Sequence, residues 1–148
     1  MLVCDDFWEG RVFKLGPRMV TADEIVEFAE EFDPQPFHLD EDSEQAKLVG
    51  GLIASGWHTC SIFMRMMCDA FILGSTSQGS AGLDNVRWLK PVRPADELSG
   101  TATVVSPRVS KSKPDLGFVQ FDYELRNQKG DIVMTITGNG MISTGTSS

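Results

Sequence analysis

The chain has 148 residues, a mass of 16.3 kDa and 41% hydrophobic residues, enough for one globular domain, read here as residues 1–148, with a substantial core. A formal net charge of -8 and a pI near 4.6 argue against nucleic acid or an anionic membrane as partner, since both attract a basic face. The three cysteines Cys4, Cys60 and Cys68 are odd in number and lack metal-ligand spacing, so they are expected to be reduced thiols that pack the interior of a cytoplasmic protein.

Met1 to Gly10 carries three acidic residues and no base, unlike the start of a secretory signal. An early strand is predicted around 11–16. Thr21 and Glu24 form a capping-box pattern, and Ile25, Val26, Phe28, Ala29 and Phe32 then recur at helical spacing over 22–32. Pro34 and Pro36 end that helix and hold the chain between them extended. A short second helix is expected to restart with Asp40 as N-cap and to stop at Gly50 and Gly51.

From Ser55 or Gly56 to about Leu73 the sequence predicts one long helix. Its apolar positions, Trp57, Cys60, Ile62, Phe63, Met64, Met67, Ala70 and Phe71, exceed one stripe, so the helix must be wrapped. Although Gly51 to Gly74 is long enough to span a membrane, His58, Arg65 and Asp69 argue for a buried helix instead. A Ser/Gly-rich turn is expected over 74–82, then strands near 83–90, 97–109, 116–127 and 131–143. Lys129 and Gly130 mark a hairpin tip. The polar tail Ser143 to Ser148 is expected to fray. The class is α+β, with an antiparallel sheet curled around the long central helix.

Two segments could carry chemistry. Asp33 ends the first helix and His38 follows five residues later, with two prolines stiffening the path. A turn of that kind holds an acid/base pair over one small volume on an exposed loop. Taken alone, the same residues are an ordinary polar helix end and a surface histidine. Second, Ile53-Ala54-Ser55-Gly56 opens the central helix, whose free N–H groups and positive dipole end suit an anion, and Gly56 would let a substrate approach the backbone. Otherwise Ser55 is an N-cap and Gly56 a packing glycine. His58 reads as structural.

Phe28 to Ala46, Ile53 to Gly56 and Asn85 to Leu98 together resemble the MaoC-like dehydratases and (R)-specific enoyl-CoA hydratases. Their Asp-x-Asn-Pro-x-His-x-Asp hallmark is matched by Asp33-Pro34-Gln35-Pro36-Phe37-His38-Leu39-Asp40. Gln35 stands where the family usually has Asn, Ser55 where many members have His, and Met64 where some place a serine near the acyl group.

The resemblance implies a hot-dog fold, a homodimer or higher assembly, and reversible addition of water to a trans-2-enoyl-CoA giving the (R)-3-hydroxyacyl-CoA. Asp33 and His38 would be catalytic, with Gly56, Ser55 and Gln35 around the thioester oxygen and Trp57 and Met64 along the acyl pocket. No metal or redox cofactor is implied, coenzyme A arriving as part of the substrate. Its phosphates would find cations in the one basic stretch, 87–113, through Arg87, Lys90 and Arg93, reaching in a dimer toward the partner's site. The alternatives are a hot-dog acyl-CoA thioesterase, for which the helix offers only Asp69, and a non-catalytic acyl-binding domain.

Overall fold

The computed structural model describes residues 1–145. In chain order it contains β1 (Val12–Met19), α1 (Ala22–Phe32), α2 (Pro36–Leu39), α3 (Glu44–Leu48), α4 (Gly56–Met67), β2 (Ser77–Trp88), β3 (Glu97–Val109), β4 (Leu116–Arg126) and β5 (Ile132–Ser143). A π-helical turn, Cys68–Ile72, extends α4. All strands join one antiparallel sheet in the order β1-β3-β4-β5-β2, which curls around α4 as a hot-dog fold.

Sequence pattern accounts for most of this. On β4, Gly117, Val119, Phe121, Tyr123 and Leu125 are buried while the alternate positions are not, the period of a half-buried strand. These residues meet Ile62, Phe63, Met66 and Met67 on the inner face of α4, with Phe7, Phe13 and Phe71 closing one end of the core. Each such side chain contributes about 1.5–3 kcal/mol on burial. The three cysteines form no disulfide.

Several expectations are corrected. Thr21 accepts from the Glu24 N–H at 3.2 Å, but the Glu24 side chain pairs with Arg18 instead of closing the capping box. The restart after the prolines is two short helices: Asp40 caps the C-terminus of α2 and accepts from the Asp42 N–H, and Ser43 is the N-cap of α3. The 74–82 segment is a turn only to Thr76. From Ser77 it pairs with β5 through bulges at Gly79 and Gly82, whose φ values of 98° and 154° exclude ordinary side chains. The central helix is covered on one side only, with Trp57, Ser61, Met64, Arg65 and Asp69 exposed on the other. Of the tail, Thr144 donates its N–H to Asp115 and Gly145 its N–H to Ser143, so neither frays; residues 146–148 lie outside the described residues.

Candidate active site

The helix α1 delivers Asp33 at its C-cap, with the Asp33 N–H donating to the Ala29 carbonyl at 2.9 Å. Pro36 starts α2 in the first turn, where a missing N–H forfeits no intrahelical bond, and α2 then carries His38 back beneath Asp33. The strip that precedes α4 is sewn to both sides. Ile53 donates its N–H to the Phe37 carbonyl at 3.0 Å, and Ala54 donates to the Val92 carbonyl at 2.8 Å. This strip covers His38, which is 5% exposed, so the pair does not sit on an open turn as expected.

At the centre, Asp33 Oδ2 lies 3.3 Å from His38 Nε2 and accepts from Ser55 Oγ at 2.7 Å. Its other oxygen accepts from Gln35 Nε2 at 2.7 Å. His38 Nδ1 is 2.6 Å from the Ile53 carbonyl, which can only accept, so Nδ1 carries a proton. In the neutral ring Nε2 therefore holds the lone pair, and a proton taken up there is shared with Asp33. Burial works to raise the Asp33 carboxyl, but the Ser55 and Gln35 hydrogen bonds and the nearby imidazole outweigh it and hold Asp33 below its ordinary value. At neutral pH it is a carboxylate, able to accept a proton.

Ser55 is completely buried and does two jobs: it caps α4 by accepting from the Trp57 N–H at 3.3 Å, and it orients Asp33. The Gly56 N–H, first in the helix, belongs to the donors that an α-helix leaves without an intrahelical partner. A cavity of about 360 Å³ brings together Asp33, Gln35, His38, Gly56, Trp57 and Lys90. Its apolar wall is Phe37, Ile53, Val92, Val133 and Trp88.

The remaining candidates take different places. Met64, 47% exposed, lines a different cavity, and Trp57 stands at the mouth of this one rather than along its depth. Arg93 donates from its guanidinium to the Val49 carbonyl and packs on Gly50 and Gly51, so it clasps the chain after α3. Arg87 is exposed on β2. Lys90 reaches the cavity within one chain, 3.1 Å from Asp131, so no second chain is needed to bring a cation there. Asp69 is not deep: it is exposed, paired with Arg65 at 3.1 Å, and lines neither cavity. His58 is buried and stacked on Phe28 with ring centroids 4.8 Å apart, as expected of a structural residue.

At Gly56 the packing alternative holds for the missing side chain. A Cβ there would stand 2.5 Å from the Trp88 indole, whose Nε1 donates to the Gly56 carbonyl at 3.0 Å. The close approach that requires a glycine is made by Trp88. Sequence reasoning missed this tryptophan, although the period of two that pairs it with the partly buried Val86 places it on the inner side of its strand.

A hot-dog sheet with a carboxylate and an imidazole at the start of its central helix defines the class of protein. The MaoC like domain description matches residues 8–121, and the chain belongs to that family. A MaoC-like dehydratase from Rhodospirillum rubrum is 40% identical, with 97% of each chain covered and a TM-score of 0.88. The uncharacterized protein YdeM of Bacillus subtilis is 32% identical over 125 residues, 84% of this chain and 87% of that protein. An (R)-hydratase of A. caviae involved in PHA biosynthesis shares the fold at 20% identity, covering 90% of this chain and 95% of its own, with a TM-score of 0.70.

Proposed function

We propose that the protein is an acyl-CoA hydratase/dehydratase, adding water reversibly to a trans-2-enoyl-CoA to give the (R)-3-hydroxyacyl-CoA. The observation that carries this reading is the Asp33–His38 pair, 3.3 Å apart, in one cavity with the N-terminal N–H of α4. Its family membership and the dehydratase at 40% identity support it.

In the hydration direction, the thioester oxygen accepts from the Gly56 N–H at the positive end of α4. Negative charge developing on that oxygen makes the β-carbon electrophilic, and loss of one such donor costs about 2.7–4 kcal/mol in other enzymes. A water held between Asp33 and His38 Nε2 loses a proton to the pair as its oxygen bonds to the β-carbon. The C=C electron pair moves to the thioester as an enolate, and the pair returns the proton to the α-carbon. Atoms and charge balance with no redox or metal step. Each proton transfer of this kind contributes about a hundred- to ten-thousand-fold.

Lys90 at the cavity mouth is the local cation for the coenzyme A phosphates, with Arg87 further along β2. The reading includes a homodimer acting in the cytoplasm. The outer edge of β2 is unpaired, and Trp57, Met64, Leu83, Trp88 and Leu89 expose apolar surface beside it. No helix among the described residues is long and apolar enough to cross a membrane. Light scattering is expected to give a multiple of 16.3 kDa.

The deciding experiment incubates pure protein with crotonyl-CoA and follows loss of the enoyl absorbance, with free thiol measured in parallel. Loss without thiol is expected. Thiol release would indicate a thioesterase, and no change with any enoyl-CoA a binding domain.

A further inference from the structure

Of the cavities beside α4, two that share no lining residue bear on the substrate. The first holds Asp33, His38 and Gly56. The second, about 330 Å³, lies between the far part of α4 with its π turn and the strands β2, β4 and β5, and its walls are apolar, with Phe63, Met67, Phe71 and Ile136 among them. A hydrocarbon chain leaving the first cavity for apolar surroundings has this one as its continuation, one to three helical turns on.

What separates them is a contiguous set of three side chains. Trp88 and Met134 are cross-strand partners on β2 and β5, so both stand on one face of the sheet. Cys60, one turn into α4, is packed against both: its Sγ donates to the Met134 sulfur at 3.8 Å and lies beside the Trp88 indole. Trp88 lines the first cavity, Cys60 lines the second, and Met134, 1% exposed, lines neither but neighbours both residues, one across the sheet and one through its sulfur. The indole is held in place by its hydrogen bond to the Gly56 carbonyl and by the missing Cβ at Gly56. Trp88 is thus fixed by fit, whereas Met134 is an unbranched side chain in a tight space.

We propose that Trp88, Cys60 and Met134 form a partition that sets the acyl-length limit of this enzyme, closing the reaction cavity to long chains and confining the substrate to short acyl thioesters. This rests on the hydratase reading. With its carbonyl at Gly56 and coenzyme A directed to the open mouth beside Lys90, the acyl tail meets the inner wall formed in part by Trp88. Opening that wall joins the cavities. The role expected of Met64 changes accordingly: it lines only the second cavity and reaches no substrate while the partition is closed.

The test measures kcat/KM for trans-2-enoyl-CoAs of four, six, eight and ten carbons in the wild type, Met134→Ala, Trp88→Ala and Met64→Ala. Calorimetric binding of the saturated acyl-CoAs of the same lengths, which needs no turnover, runs in parallel. In the wild type both series are expected to decline beyond six carbons. Met134→Ala and Trp88→Ala should raise the eight- and ten-carbon values by about fourfold for each methylene newly accommodated, the equivalent of roughly 0.8 kcal/mol. Met64→Ala alone should leave the ranking unchanged.

The partition is overturned if wild-type binding is as tight at ten carbons as at four, or if both opened variants fold and keep the wild-type ranking. Should Met134→Ala not fold, Trp88→Ala, at a half-exposed position, decides with the wild-type series. A length limit in binding without turnover of any enoyl-CoA would sink the hydratase reading and leave the partition standing.

Discussion

Replacing Ser55 with alanine removes two hydrogen bonds at once, one to Asp33 and one from the Trp57 N–H. Loss of the cap costs about 1 kcal/mol of stability. A hydrogen bond to an ionised group contributes about 1.5–3 kcal/mol, and because the Asp33 side chain is 16% exposed, water replaces part of it and the lower end applies. Without that donor the Asp33 carboxyl should rise toward its ordinary value. The sign follows from its depressed position: Asp33 is active as a carboxylate, so kcat/KM falls on the acid side as it protonates. Ser55→Ala moves that acid limb to higher pH. Together the two losses should lower Tm by about 5–10 °C at roughly 2–4 °C per kcal/mol. Ser55→Gly separates the effects, because glycine costs a cap only a few tenths of a kcal/mol. It should show the same displaced acid limb with a smaller change in Tm. Profiles of kcat/KM against pH with crotonyl-CoA, beside calorimetric melting, read both quantities. An acid limb that stays in place in Ser55→Ala would refute the view that this hydroxyl holds the carboxylate ionised.

Asp33→Asn and His38→Gln should each abolish most hydration, and the double variant should lose little more than the worse single one, because the proposed mechanism has both groups act on one water; additive losses in kcat would separate their roles. Lys90→Ala should raise KM for CoA thioesters with little change in kcat, whereas Arg93→Ala should lower the urea midpoint and leave KM alone, since its guanidinium is engaged with the Val49 carbonyl. Burial holds the His58 imidazole below its ordinary value, opposed by Glu24 and aided by Arg18 and His38, so the folded state resists its protonation. Stability from the neutral ring is present above its unfolded pKa and is lost progressively as pH falls from that value through the depressed folded one. His58→Phe, which keeps the stack on Phe28, should lose less of its urea midpoint between pH 7 and pH 5 than the wild type does.

Local pattern made much of the fold readable. The 22–32 helix, the alternation along β4 and the turn at Gly130 each follow from the backbone preferences and burial of adjacent residues, which a sequence displays directly. The start of β2 was hidden for the converse reason. Ser77 to Gly82 has no apolar alternation, and its strand character comes from pairing with residues 139–142 across the sheet. In the same way, polar neighbours made His38 look exposed, while the strip that buries it arrives from 15 residues further along through the Ile53 and Phe37 backbones. The Ser55 to Asp33 bond spans 22 residues and leaves no periodic trace. Residue pattern and resemblance together made Asp33, His38, Ser55 and Gly56 candidates, and only the tertiary structure revealed what each one touches.

Gly56 shows how far a single residue can be read. A glycine at the first position of a helix can admit a ligand to the backbone or admit a neighbouring side chain, and the sequence is identical in the two cases. The structure separates them, because the volume a Cβ would occupy is filled by the Trp88 indole and the Gly56 carbonyl is its hydrogen-bond partner. The glycine's N–H belongs to the donors without an intrahelical partner and lies in the cavity shared with Asp33 and His38. Under the proposed function one residue would serve both ends of the site: its amide would face the thioester oxygen, and its missing side chain seats the Trp88 wall proposed to limit the acyl tail. A larger residue at 56 would displace Trp88 before it obstructed the amide, so its first effect should fall on acyl length and its second on rate. In Gly56→Ala, then, kcat/KM should fall less for the eight-carbon enoyl-CoA than for crotonyl-CoA. An equal fall for both would show that the glycine serves the oxyanion alone and that Trp88 is held by other contacts.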